Sequence, residues 1–145
     1  MDPDERARRS MEAMWAGDAA SRALGMRVEA VGEGSATLSM RLRPEHLNGH
    51  GTAHGGIVFA LADSAFAFAC NSRNVAAVAQ EAQVTFLSPG RGGERLTATA
   101  RETALAGRSG VTDVRVTGED GRTVALFRGL SRQVRGRHFD EEEGA

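Results

Sequence analysis

The sequence predicts an α+β fold in which one curved antiparallel sheet of six strands wraps around a single long helix. Residues 55–70 are mostly Ala, Phe, Leu and Ile with almost no charge, which is typical of a buried helix. Six other segments alternate apolar and polar residues with the period of two that indicates half-buried strands. Two of these segments precede the helix and four follow it, so helix and sheet are expected to pack as two layers.

The first elements follow from local patterns. Residues 4–16 mix Arg and Glu with Met and Trp, which predicts a short amphipathic helix. Alternation over residues 25–43, interrupted by Gly-Glu-Gly, predicts a hairpin that Pro44 ends because proline cannot donate to the ladder. The long apolar helix over 55–70 begins after a loop rich in glycine.

Four further strands are predicted at residues 75–87, 94–105, 109–118 and 121–134. Short turns containing SPGRGG, AGR and GEDG separate them, so we expect an antiparallel meander in chain order. Residues 135–145 are charged and poor in apolar side chains, which predicts a flexible tail. The chain therefore divides into an N-terminal helical segment over 1–24, one domain over 25–134, and this tail.

Composition excludes several classes of function. The 145 residues have a formal net charge of -1, which gives no general attraction to nucleic acid or to an anionic membrane. No lysine occurs among the 18 basic residues, which excludes a phosphate-loop lysine and a Schiff-base lysine. The longest apolar stretch is shorter than the roughly 20 residues of a membrane span. With Cys70 as the only cysteine and no signal-like start, the chain is expected in the cytoplasm without a disulfide.

The stretch HLNGHGTAHGG, residues 46–56, places three histidines four residues apart directly before the long helix. On a helix this spacing would bring three imidazoles to one face, where they could hold zinc. The interleaved glycines indicate a loop instead, so no metal is expected. A phosphate-binding glycine loop is the second alternative, although His54 stands where that motif needs a glycine.

A third interpretation concerns the peptide groups where this loop becomes the helix. Gly55 and Gly56 have no side chain to cover the N–H groups of the first turn, which lies at the positive end of the helix dipole. Such donors stabilise a developing oxyanion, as acyl transfer requires. His54 would cap or position this helix end, or it would be an ordinary loop histidine.

Asp63 is the only charged side chain between His54 and Arg73, and its neighbours at helical spacing are Phe and Ala. Burial should raise the pKa of its carboxyl group, which suits a general base or a nucleophile. A structural carboxylate is the alternative. Gly55 lies about 12 Å from Asp63 along one helix, too far for one carbonyl group to contact both. The two groups of one site should therefore come from two chains of an obligate dimer.

Four segments of the chain carry a resemblance to one enzyme family. HLNGHGTAHGG, ALADSAFAFACNS, VTFLSPGRGGERLTATA and TVALFRG resemble the phenylacetic-acid-pathway (PaaI) group of hotdog-fold acyl-CoA thioesterases, over about residues 15–134. The resemblance implies a hotdog fold, with dimers whose sheets join edge to edge and which pair again into tetramers. It also implies hydrolysis of a CoA thioester without a metal or other cofactor, so an acyl-CoA is the expected ligand.

Carried over by position, the resemblance implies a role for each motif residue. Asp63 would activate water or attack the carbonyl directly, and the Gly55 N–H would polarise the thioester carbonyl. Asn48 would help to place the water or the carbonyl, and His54 would support the loop. The expected substrate is an aryl or medium-chain acyl-CoA, with phenylacetyl-CoA and its hydroxylated relatives as leading candidates. The sequence leaves open the acyl group and the choice between a general base and a covalent anhydride.

Further residues are candidates for binding the substrate: Gly56, Asn71, Arg91, Arg108, Ser109 and Gly110. The two arginines lie in predicted turns and could meet the phosphates of CoA, or be ordinary solvated charges. Asn71 could line the acyl pocket or simply end the helix. Cys70 is expected to be a small buried residue rather than a nucleophile.

Other functions are compatible with the same fold. A sensor would bind acyl-CoA without turnover, but an acid inside the helix favours catalysis and no DNA-binding segment is evident. A hydratase would need a histidine and an acid in a different arrangement. A purely structural oligomer would give no reason for Asp63.

Overall fold

The computed structural model describes residues 1–141, and residues 142–145 lie outside the described part. The helices of this part are α1 (Pro3–Gly17), α2 (Ala19–Ala23) and α3 (Gly55–Cys70). The strands are β1 (Arg27–Gly32), β2 (Ser35–Arg41), β3 (Ala77–Phe86), β4 (Arg95–Ala106), β5 (Ser109–Thr117) and β6 (Thr123–Gln133). No helix within residues 1–141 has the length and apolar character that crossing a membrane would require.

The N-terminal segment contains two helices, where the sequence predicted one. Asp2 caps α1 by accepting hydrogen bonds from the Asp4 and Glu5 amides, both at 3.1 Å. Asp18 caps α2 in the same way, with the Ser21 amide at 3.0 Å. The second helix has only five residues, which is too short for an amphipathic period to be recognised.

The six strands form one antiparallel sheet in the order β1-β2-β4-β5-β6-β3. The predicted fold class is confirmed, but the predicted meander is wrong for β3. That strand pairs with β6 at the far edge, while β2 and β4 are neighbours in the sheet. The connection over residues 87–94 is longer than the roughly two to five residues of a hairpin loop, and it lets the chain return across the sheet.

Helix α3 packs on one face of the sheet and contacts all six strands. Its buried residues include Leu61 and Phe66, which belong to one core with Leu38, Leu96 and other strand side chains. Gly129 on β6 permits this approach, since a Cβ atom there would lie 2.5 Å from the Phe66 ring. One stripe of the helix remains partly exposed, and it includes Ala60, Asp63 and Ala67. The sheet of one chain therefore leaves the Asp63 face of α3 incompletely covered.

Residues 135–141 are the described part of the predicted flexible tail, and they contact both the N-terminal helix and the domain. Glu141 forms an ion pair with Arg6 at 2.6 Å, and His138 Nε2 donates to Asn71 Oδ1 at 2.9 Å. These contacts depend on individual side chains, which the composition of the segment does not reveal. The last four residues of the predicted tail lie outside the described residues, and the predicted domain boundaries stay a prediction.

Candidate active site

A cleft of about 370 Å³ opens beside the first turn of α3. Its wall is mostly apolar and is formed by Asn48, Ala53, Gly55, Val58, Phe86, Leu87, Ser88, Pro89, Gly90 and Val124. Sequence reasoning missed Phe86 and Leu87, whose side chains are 53% and 56% exposed. One sequence feature could have indicated these two residues: they are large and apolar and stand at the end of a strand, directly before a Ser-Pro-Gly turn.

In the first turn of α3, one backbone N–H group has no acceptor among residues 1–141. His54 is the N-cap residue, and its Nδ1 accepts the Gly56 N–H at 2.9 Å. The N–H groups of Ile57 and Val58 donate to the His54 carbonyl oxygen at 2.9 and 3.2 Å. The Gly55 N–H has no acceptor among residues 1–141. A carbonyl oxygen entering the cleft would therefore meet a free donor at Gly55, whereas the Gly56 donor is occupied.

Asn48 lines the same cleft, and its carboxamide is only half used. Its Oδ1 accepts hydrogen bonds from the amides of His50 and Thr52, at 2.9 and 3.2 Å, and from Thr52 Oγ1 at 3.3 Å. Within the described residues its NH₂ group donates to no acceptor. The loop thus holds the oxygen of Asn48 in place and leaves a second donor beside Gly55.

Asp63 lies in the middle of α3 as a partly buried acid without a partner. Its carboxylate makes no hydrogen bond and no ion pair with residues 1–141. Burial raises the pKa of this carboxyl group, and the negative charge of Asp18 raises it further. A carboxylate that is poorly solvated and unpaired is a better proton acceptor than one at the surface.

Gly55 and Asp63 do not converge within one chain. Helix α3 is continuous from Gly55 to Cys70, so eight residues place the two groups about 12 Å apart along its axis. The free donor lies at the cleft, while Asp63 lies on the partly exposed stripe of the same helix.

The arginine candidates lie at opposite ends of the sheet. Arg91 is next to the cleft, where its backbone pairs with Thr52, and its exposed side chain lies 3.4 Å from Asp120. Arg108 lies in the turn before Ser109 and Gly110, beyond the other end of β4. That strand has twelve residues, or roughly 40 Å of chain. Arg108 to Gly110 therefore lie far from the cleft of their own chain.

Asn71 ends helix α3. Its Nδ2 donates to the carbonyl oxygens of Ala67 and Ala77 at 2.8 and 3.2 Å, and its Oδ1 accepts the Ala77 N–H at 2.8 Å. The side chain is buried and satisfied by these contacts and by His138. Of the two interpretations that the sequence left open, the structure supports helix termination. Cys70 is also buried, which raises the pKa of its thiol to about 12.

The three histidines of the loop have separate roles. His46 is buried, and its Nδ1 accepts the Arg43 N–H at 3.0 Å. His50 is exposed, and His54 caps α3. No three His, Cys, Asp or Glu side chains come together as a metal site within residues 1–141. The loop therefore leads into the N-terminus of α3. The three histidines do not lie on one helix, so their four-residue spacing does not bring them to one face.

Comparison with known proteins identifies the family. The sequence model described as the Thioesterase superfamily matches residues 50–125, a segment that contains both Gly55 and Asp63. The chain belongs to the thioesterase superfamily. Acyl-coenzyme A thioesterase PaaI of Escherichia coli is 44% identical over 124 residues, which cover 86% of this chain and 89% of that protein. This thioesterase is a thioester hydrolase.

Solved structures agree with the family assignment. The Escherichia coli PaaI protein from the phenylacetic acid degradation operon superposes with a TM-score of 0.91 at 42% identity, covering 92% of this chain and 97% of that one. A mutant of the phenylacetic acid degradation protein PaaI from Thermus thermophilus gives 0.76 at 41% identity, covering 79% and 97%. The hotdog fold and the resemblance to the PaaI group, both inferred from the sequence, are confirmed for this thioesterase.

Proposed function

We propose that this thioesterase hydrolyses aryl or medium-chain acyl-CoA, with phenylacetyl-CoA or hydroxyphenylacetyl-CoA as the leading substrate. The names of its relatives support a CoA thioester and a link to phenylacetic acid. The apolar cleft beside Gly55 supports an acyl group that is largely hydrocarbon. The observation that carries the proposal is the free Gly55 N–H at the head of α3, combined with an unpaired acid on the same helix.

In this proposal the Gly55 amide binds the thioester carbonyl oxygen. A tetrahedral intermediate places negative charge on that oxygen, and the N-terminal end of α3 favours it through the helix dipole. The free NH₂ group of Asn48 places the carbonyl or the attacking water. His54 acts indirectly, because its cap holds the first turn and takes up the Gly56 N–H.

Asp63 acts on the carbonyl carbon or on the water. As a general base it takes a proton from the water whose oxygen attacks, and as a nucleophile it forms an anhydride that water then hydrolyses. Both alternatives need the ionised carboxylate, so the raised pKa sets the lower pH limit of activity. Neither requires a metal or another cofactor, and CoA takes part only as a portion of the substrate.

Each proposed site contains Gly55 of one chain and Asp63 of another. The 12 Å between the two residues on one helix supports a site shared by two chains, because one carbonyl group cannot contact both residues of the same chain. Strand β3 supports a dimer, because it is an edge strand of ten residues with Glu81 as its only charge. Long edge strands with so little charge are usually paired or covered in native proteins. We propose that two β3 edges join and that such dimers pair into tetramers.

The phosphates of CoA are proposed to meet arginine side chains at the mouth of the site. Arg91 lies beside the cleft of its own chain. Arg108, with Ser109 and Gly110, would reach the same ligand only from a second chain, because these residues follow the far end of β4.

The Gly55 amide can be removed without breaking the helix. Gly55 is the first residue of α3 and its N–H has no internal acceptor, so Gly55→Pro deletes a donor at a position that tolerates proline. The backbone of His54 is already extended, with φ -60 and ψ 134, as a residue before proline requires. We expect kcat for phenylacetyl-CoA to fall about 100- to 1000-fold.

Gly55→Ala is the matched control, since it keeps the N–H and adds only a methyl group. That methyl group would lie 3.2 Å from the Phe86 ring, which is exposed and can turn away. Release of free CoA, followed with a thiol reagent, measures both variants. Equal rates for the proline and alanine variants would contradict the role of the amide.

Mixing two inactive variants tests the composite site. A dimer of one Asp63→Asn chain and one Gly55→Pro chain has one intact site if Gly55 and Asp63 come from different chains. After joint refolding of equal amounts, roughly a quarter of wild-type activity should return. If mixed dimers form but no activity returns, the composite site is wrong.

Turnover separates the enzyme from the alternative of a sensor. If phenylacetyl-CoA and a graded acyl-CoA panel are bound tightly but recovered intact, the protein is a sensor.

A further inference from the structure

Three polar side chains connect helix α2 to helix α3 beside Asp63. The Asp18 carboxylate lies 2.7 Å from Ser21 Oγ, and Ser21 Oγ lies 2.7 Å from Ser64 Oγ. Ser21 is only 2% exposed, so this contact is shielded from water. An ionised carboxylate only accepts hydrogen bonds, which means that Ser21 donates to Asp18 and Ser64 donates to Ser21. The start of α2 is thereby attached to the turn of α3 that carries Asp63.

The charge of Asp18 is not neutralised. Its carboxylate forms no ion pair within residues 1–141, and the Arg22 side chain donates to the Asp18 carbonyl oxygen instead. Burial is the larger cause of the raised pKa of the Asp63 carboxyl group, and the negative charge of Asp18 raises that pKa further. The Cys70 thiol lies seven residues further along α3 than Asp63. It stays neutral because burial raises its pKa to about 12.

We propose that Asp18 is a positioning residue for Asp63: Ser21 and Ser64 hold its carboxylate beside the turn of α3 that carries Asp63, where its negative charge acts on the Asp63 carboxylate. The inference rests on the proposed function of Asp63 and assigns a role to α2, a helix outside the residues matched by the family model. In the general-base step Asp63 takes one proton from the attacking water. It returns that proton to the CoA sulfur as the carbon–sulfur bond breaks, and a stronger base is protonated more readily in the transition state.

Asp18→Asn tests the charge without removing the helix cap. Asparagine caps helices as well as aspartate does, and its NH₂ group can donate to Ser21 Oγ, so the connection to Ser64 is kept with its direction reversed. Asp2→Asn is the matched control, because Asp2 is also a helix N-cap that accepts backbone N–H groups, and it is not a cause of the raised pKa of Asp63.

The pH profile of kcat/KM for phenylacetyl-CoA is the first readout. We expect the acid limb of Asp18→Asn to move to lower pH and its plateau to fall, while Asp2→Asn follows wild type. A purely structural role predicts that Asp18→Ala is impaired and that Asp18→Asn restores the wild-type profile. Such a restoration, with an unshifted acid limb, would overturn the inference.

A second readout does not depend on activity. In ¹³C NMR of protein labelled at aspartate carboxyl groups, the Asp63 signal is assigned by its loss in Asp63→Asn. Its titration should move to lower pH in Asp18→Asn and stay unchanged in Asp2→Asn. If Asp63→Asn retains turnover, the proposed function fails while the NMR result still tests Asp18. If Asp63→Asn is inactive and the titration does not move in Asp18→Asn, only the present inference fails.

Discussion

Glu94 and Asp63 are both carboxylates largely withdrawn from solvent, but they differ in their partners. Glu94, before β4, is 8% exposed and accepts hydrogen bonds from the Arg122 guanidinium and from the amides of Arg91 and Glu119. Asp63, on α3, has no such partner within residues 1–141. Burial alone would raise the pKa of both, but hydrogen bonds from Arg122 and the two amides lower that of Glu94.

The difference separates a carboxylate that holds the fold from one that remains available to react. The cluster of Glu94 and Arg122 closes the loop over residues 88–94, and Arg122 also donates to the Pro89 carbonyl oxygen at 2.9 Å. That loop forms one wall of the cleft. Glu94 therefore shapes the cleft through its contacts, whereas Asp63 has no hydrogen bond or ion pair within residues 1–141 and fits its proposed role as a proton acceptor.

The largest expected effect is on turnover. Asp63→Asn should lower kcat/KM for phenylacetyl-CoA about 1000-fold, because the isosteric amide cannot accept a proton. The free energy of unfolding should not fall and should rise somewhat at neutral pH, since no hydrogen bond of Asp63 is lost and the amide carries no buried charge. A variant that unfolds more easily than wild type would show that this carboxylate is structural and would remove the contrast with Glu94.

A change at Glu94 should act on stability. Glu94→Ala leaves the mostly buried Arg122 guanidinium without its main partner, which should lower the free energy of unfolding by about 3 kcal/mol. Urea denaturation measures the effect. Glu94→Gln is the control of similar shape, and it should lose less because the amide oxygen can still accept from Arg122. Loss of activity without loss of stability would contradict the assignment.

The two carboxylates should give stability slopes of opposite sign with pH. The lowered pKa of Glu94 means that its contribution is complete above the ordinary glutamate value of 4.5 and is lost as pH falls below it. The raised pKa of Asp63 means that the folded state holds its proton longer, so stability declines as pH rises above 3.8 toward the raised value. Denaturation between pH 3 and 7 measures each contribution as the difference between wild type and variant: the advantage of wild type over Glu94→Gln should shrink as pH falls, and its stability relative to Asp63→Asn should decrease as pH rises. Unchanged slopes would contradict both.

The smallest effect is expected at an exposed pair. Asp113 accepts two hydrogen bonds from Arg128, at 2.6 and 2.8 Å, with side chains that are 40% and 62% exposed. Solvent screens such pairs, so Asp113→Asn should change the free energy of unfolding by no more than about 0.5 kcal/mol. The effect should shrink further at 1 M salt. If Asp113→Asn lowered the free energy of unfolding as much as Glu94→Ala, burial would not explain why the Glu94–Arg122 pair stabilises the fold.

Local patterns predicted much of the fold and the position of one partly buried acid. Helix α3 has the predicted bounds because its composition differs sharply from that of the flanking loops. Asp63 was identified because a charge in an apolar helix is rare, and burial raises its pKa as expected. The place of β3 beside β6 was not predictable, since it depends on contacts between distant parts of the chain. Helix α2 was missed because five residues contain little periodic signal.

By itself, the sequence determined the helix, the six strands, the solitary acid and the glycine pair at a helix terminus, because these follow from residue type and short-range spacing. Tertiary structure decided which of the two glycine amides stays free, since that depends on where the His54 ring lies. It also decided that Asn71 closes the helix and that Asp18 is linked through Ser21 to Ser64, the neighbour of Asp63. Such contacts require side chains to meet after the backbone has folded, and no local pattern encodes them.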